Sequence, residues 1–101
     1  RGQILIEDTG VYLYTHWGGA ELKPLLKKAL RRNQRWDDEE YLTRIIFSEM
    51  IANNILSEDG YGIGKVMHGD LDNPLIVVNV ANQIVNISNK KYSFEKFIGG
   101  K

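Results

Sequence analysis

The chain has 101 residues, 43% of them hydrophobic and 26% charged, and its 13 basic residues balance 13 acidic ones. This suits one domain over residues 1–101, and zero net charge argues against a dedicated nucleic-acid coat or a membrane-surface binder. With no cysteine, disulfide scaffolds, thiolate metal sites and cysteine nucleophiles are excluded, and a reducing, cytoplasmic setting is expected. No apolar run approaches the roughly 20 residues that span a bilayer, and no signal-peptide pattern is present.

Residues 3–7 form a short apolar strand. Asp8-Thr9-Gly10 is a turn signal, with Gly10 suited to positive φ. Residues 11–16 read as the returning strand of a hairpin. Val11, Leu13 and Thr15 share one face; Tyr12, Tyr14 and His16 share the other. The second face either packs under a helix, with the hydroxyls at the rim, or lines a pocket.

Residues 20–33 carry the cleanest helical pattern. Leu22, Leu25, Leu26, Ala29 and Leu30 make one apolar stripe. Pro24 is tolerated in the first turn. Lys23, Lys27, Lys28, Arg31 and Arg32 fall on the other side, which reads as a solvated face or as a surface for an anion or partner. A second helix start follows. Asp37 is a candidate N-cap with Glu40 three residues on, and Trp36 with Tyr41 has the spacing of a hydrophobic staple.

That helix is expected to run to about residue 56. Leu42, Ile45, Ile46, Phe47, Met50, Ile51, Ile55 and Leu56 wrap most of its circumference. Such a helix is central, packed on the sheet and the first helix, or shared with a second copy. Arg44 is the one basic residue in that wall; it is exposed, paired with Glu40 or Glu49, or aimed at a ligand. Residues 57–60 end the helix.

Tyr61-Gly62-Ile63-Gly64-Lys65-Val66 alternates glycine with larger residues. One strand face is then bare, and something is expected to approach it closely. Residues 67–74 are a polar loop. His68, Asp70 and Asp72 there lack the spacing of a calcium loop, so no metal and no cofactor are expected. Residues 75–80 and 84–88 are strands, 89–91 a turn, and 92–98 a closing helix capped by Ser93; residues 99–101 are a tail. The expected fold is α+β, a two-layer sandwich in the order ββααβββα, with a mostly antiparallel sheet and the helices packed on one face.

Catalysis is poorly supplied. No serine lies in a nucleophile elbow, and His16 and His68 serve as acid and base only if the fold brings them together. The more distinctive feature is the strand-to-helix corner His16-Trp17-Gly18-Gly19. A helix start presents unpaired amides that accept phosphate or carboxylate. His16 donates a hydrogen bond there, and Trp17 either stacks on a base or packs in the core. Tyr14, Arg44 and Lys65 are candidates to complete the site. The corner lacks the phosphate-loop pattern. The expectation is a non-enzymatic module for a phosphate-bearing, nucleotide-like small molecule. The alternative is a protein-interaction module that acts on a host protein through the basic helix face, or forms a homo-oligomer through the central helix.

Five stretches carry a resemblance: Y-L-Y-T-H-W-G-G at 12–19, the E-L-containing helix after it, R-W-D-D at 35–38, Y-L-T-R-I-I-F-S-E-M-I at 41–51 and G-Y-G-I-G at 60–64. Together they resemble a group of small, uncharacterised phage, prophage and bacterial proteins that share the Y-L-Y-T-H-W-G-G segment. The resemblance covers roughly residues 1–80. It implies a phage or bacterial cytoplasmic origin and action by binding, such as blocking a host protein or sequestering a nucleotide signal. It implies no established activity.

Overall fold

The computed structural model describes residues 1–52, 55–56 and 60–99. They form a mixed α/β fold with a six-stranded, mostly antiparallel open sheet and three helices. The strands are β1 (Gly2–Ile6), β2 (Val11–Thr15), β3 (Tyr61–Gly64), β4 (Ile76–Asn79), β5 (Ile84–Ile87) and β6 (Lys90–Ser93). The helices are α1 (Leu22–Arg31), α2 (Glu39–Ile51) and α3 (Phe94–Gly99). The sheet order is β3-β2-β1-β4-β5-β6, and only β1 and β4 run parallel.

The expected order lacked one strand. Ser88 and Asn89 both adopt positive φ, which makes a two-residue hairpin turn. Lys90–Ser93 then returns along β5, with Tyr92 opposite Val85, where a turn and the first turn of a helix were expected. Ser93 does cap α3, accepting from Lys96 N at 3.1 Å. The β1–β2 hairpin forms with Ile4 opposite Leu13, and Gly10 has φ +72. β3 pairs with β2 and lies at the sheet edge.

Alternation separates two sheet faces. On one, Ile4, Ile6, Leu13, Ile76, Val78 and Val85 are buried and form a single core with Leu22, Leu26, Leu30, Leu42, Ile46, Met50, Phe94 and Phe97 of the helices. Tyr12 and Tyr14 alternate with Leu13 and Thr15 and stay half-buried, so they face away from this core. They do not pack under a helix.

The basic residues of α1 are ties. Arg31 Nε donates to the Ile98 carbonyl at 3.0 Å, and the Lys27 ammonium lies 5.4 Å from the centre of the Phe97 ring. On the other flank, Arg32 Nε donates to Glu49, and Lys28 Nζ lies 3.8 Å from the same carboxylate. The Glu49 side chain is only 4% exposed, and its charge holds the Arg32 guanidinium above its ordinary pKa through their hydrogen bond. Most of these cations are exposed, as a solvated face would be, and they also join α1 to α3 on one side and to α2 on the other.

α2 begins one residue later than expected. Asp38, not Asp37, is its cap and accepts from Tyr41 N at 3.0 Å. That shift removes the expected staple and capping box. Trp36 instead donates its indole N–H to the Leu30 carbonyl at 3.1 Å and sets its ring edge-on to Phe94. Helix α2 ends at Ile51. Residues 53, 54 and 57–59, where the expected helix continues and stops, lie outside the described residues, as do residues 100–101 of the tail. Among the described residues no helix is long and apolar enough to cross a membrane.

Candidate functional site

The cluster at the end of β2 starts from a buried side-chain amide. Gln3 of β1 is 1% exposed and points away from the core, beside Tyr14 on β2. Burial requires both ends of its amide to be bonded. Its Nε2 donates to the Val66 carbonyl at 3.0 Å, and its Oε1 accepts from His68 N at 2.9 Å. The glutamine thereby pins the loop after β3 across the open sheet face. His68 is carried onto Tyr14, ring centres 4.4 Å apart.

His16 reaches Tyr14 from the other side. Alternation along β2 puts both on one face, and the Tyr14 hydroxyl lies 3.3 Å from His16 Nδ1. Arg1 Nε donates to the same nitrogen at 3.1 Å. Since a guanidinium only donates, Nδ1 is the acceptor, and a neutral His16 carries its proton on Nε2. Arg1 also meets Asp70 through Nη1 at 2.7 Å, and its backbone nitrogen lies 2.9 Å from Asp72.

Trp17 stands against His16 edge-on, ring centres 4.4 Å apart, and is 71% exposed. The core reading of this tryptophan is overturned, because Trp36 has the packed position. Gly60 lies beneath the pair with φ +75; a Cβ there would meet His16 Cβ at 2.6 Å and Trp17 at 3.3 Å. Gly62 and Gly64 sit beside Tyr14 and Tyr12, and a Cβ on either would meet nothing within 4 Å. The close approach expected over those two glycines does not come from the described residues.

The Gly18-Gly19 amides do not form the expected open corner. Gly18 N donates to Thr15 Oγ1 at 2.9 Å, and Glu21 N bonds back to the Gly18 carbonyl at 2.9 Å. This makes a single 3₁₀ turn, Gly19–Glu21, ahead of α1. Gly19 is buried, and a Cβ there would run into Asn73 and meet the Arg1 backbone at 3.1 Å. Its glycine admits the protein's own chain, not a ligand.

His16, Trp17 and Tyr14 therefore come together, while Gly18 and Gly19 lie beneath them as turn and packing. Lys65 is exposed just beyond β3. Arg44 lies on α2 with its guanidinium 5.1 Å from the Tyr41 ring, which Arg35 also covers. It lines a groove with Arg32 and Ser48 and does not join His16. Neither Glu40 nor Glu49 pairs with it among the described residues; Glu49 is held by Arg32 and Lys28. Arg1 was not foreseen as a site residue, and His68 was weighed only as an acid–base partner of His16 or a metal ligand. The one cue was the polar composition of the loop that carries His68, Asp70 and Asp72.

A second groove of about 360 Å³ lies between α1 and α2, lined by Leu25, Lys28, Glu49, Met50 and Tyr61 among others. Its carboxylate, Glu49, is already engaged by Lys28 and Arg32. No protein-family description, curated protein or solved structure matches this chain.

Proposed function

We propose that this chain is a non-enzymatic binding module for a phosphate-bearing, nucleotide-like small molecule, held at the end of β2 and not at the glycine pair. The observation that carries the reading is the convergence of His16 and His68 on Tyr14, with Arg1 bonded to His16 and Trp17 exposed beside it. A base stacked on an exposed indole gains ~1–3 kcal/mol. The Arg1–Asp70 pair is solvent-exposed, and such pairs contribute only ~0–1 kcal/mol. A phosphate that takes both guanidinium donors offsets its loss. Among the described residues, neither histidine is hydrogen-bonded to a serine or threonine hydroxyl, which favours holding a ligand over nucleophilic turnover. A cytoplasmic setting and a phage or bacterial origin go with this reading.

A thermal-shift screen with inorganic phosphate, mononucleotides and dinucleotides tests it. A member present at 100 times its dissociation constant adds ~2.7 kcal/mol of stability. That gain is expected to disappear in His16→Ala and in Trp17→Ala. A panel with no shift, or a shift that both variants retain, rejects the reading.

One observation favours a second reading, a protein-interaction module. Ile55, Leu56, Ile63, Val66 and Met67 are all exposed. Its basic-face version is weakened, because four of the five cations of α1 already tie the helices.

A further inference from the structure

Among the described residues, the outer edge of β3 has no partner strand. Its hydrogen-bonding direction follows from one contact. His16 N donates to the Gly60 carbonyl at 3.1 Å, and in this register Gly60 is opposite His16. In an antiparallel ladder the bonded pairs alternate. Gly62 and Gly64 therefore turn their N–H and C=O groups toward β2. Tyr61 and Ile63 turn theirs outward, to an edge that no described strand covers. The opposite edge is built differently. β6 carries Lys90 and Lys91, the type of residue that discourages edge pairing. β3 is Tyr-Gly-Ile-Gly with no charge, and Ile63 is 60% exposed.

We propose that the β3 edge pairs antiparallel with β3 of a second copy of this chain, centred on Ile63 against Ile63. The register is chosen by self-complementarity. Outward-facing backbone groups meet only when odd-numbered residues pair across the seam. With Ile63 opposite Ile63, the next bonded pair is Tyr61 opposite Lys65. Lys65 is the single charge between Gly60 and Met67, and this register sets it against an aromatic ring instead of another lysine. Gly62 falls opposite Gly64 in the closer, non-bonded spacing, where the absence of side chains suits the approach. The two isoleucines meet on the same sheet face as Leu13, which continues the core face across the seam. A two-fold axis satisfies both copies at once, so the assembly closes at a dimer.

The chain contains no cysteine, which allows a direct test. Sedimentation velocity of the intact chain over a concentration series is expected to show a dimer, and Ile63→Lys is expected to return it to monomer with unchanged circular dichroism. Paired residues in a bonded antiparallel position lie ~5.5 Å apart, within disulfide reach. Ile63→Cys is therefore expected to cross-link under mild oxidation, while Lys90→Cys on the guarded edge is not. A chain that stays monomeric throughout, a dimer indifferent to Ile63→Lys, or equal cross-linking at both edges overturns the proposal. The cysteine pair decides the matter even if Ile63→Lys disturbs the strand. Ligand binding at His16 plays no part in either readout.

Discussion

The two tryptophans mark two regions with opposite construction. Trp36 sits between α1 and α2, with its N–H on the Leu30 carbonyl and its ring on Phe94. In the same helical region Lys28 and Arg32 are matched to the carboxylate of Glu49. Trp17 follows the end of β2 and is exposed, with the His16 ring edge-on against its own. Beside it is Gly60, and farther along lie Gly62 and Gly64, with bare faces, and the uncharged edge of β3. In the helical region polar and aromatic groups serve the fold. Around β2 and β3 comparable groups are held in place but left facing outward, which is the usual arrangement of a surface meant for something else.

The largest expected effect separates these tryptophans. Trp36→Ala removes a half-buried ring and a hydrogen bond from the core margin, and should cost ~3 kcal/mol. Trp17→Ala should change stability by less than ~0.5 kcal/mol, as for surface positions generally. Urea denaturation of both variants measures the contrast. Equal losses would mean that Trp17 is packed in solution and that the corner is ordinary core.

A smaller effect tests whether the helical region is as closed as described. Glu49→Gln keeps the shape and still accepts from Arg32, so the loss should be about 1 kcal/mol. Arg32→Met leaves the buried Glu49 carboxylate with the more distant Lys28 alone. Removing one partner of a buried charge harms more than neutralising it, so Arg32→Met should be the less stable of the two in the same urea assay. The reverse order would show that Glu49 is solvated and that the ties along α1 are surface pairs.

How far these regions were legible follows from the range of the interactions that build them. The β1–β2 hairpin, the α1 stripe, and the cap on Ser93 rest on contacts within a few residues, and local pattern is enough to see them. Strand β6 was missed because Lys-Lys-Tyr-Ser lacks an apolar alternation and its turn needs left-handed Ser88 and Asn89. The α2 cap slipped by one because adjacent aspartates are chemically equivalent candidates. In the candidate site, Tyr14 and His16 were grouped correctly by strand alternation. Arg1, ahead of β1, is held by Asn73, and His68, on the loop after β3, is held by Gln3; no local pattern encodes that meeting. Arg44 is exposed on α2, one of the three placements its sequence left open, because a helical wheel gives direction around an axis, not the neighbour that the axis packs on.

Next in size is a contrast inside one short segment. Gly60 has φ +75 and His16 close above it, so Gly60→Ala is strained and crowded and should cost ~1–2 kcal/mol. Gly62 has open space where a Cβ would go. Gly62→Ala should be neutral, or stabilise by up to ~1 kcal/mol through the unfolded chain. Thermal denaturation of the pair measures both. A destabilising Gly62→Ala would show that something does lie over that face in solution, and a second copy of the chain would be the first candidate.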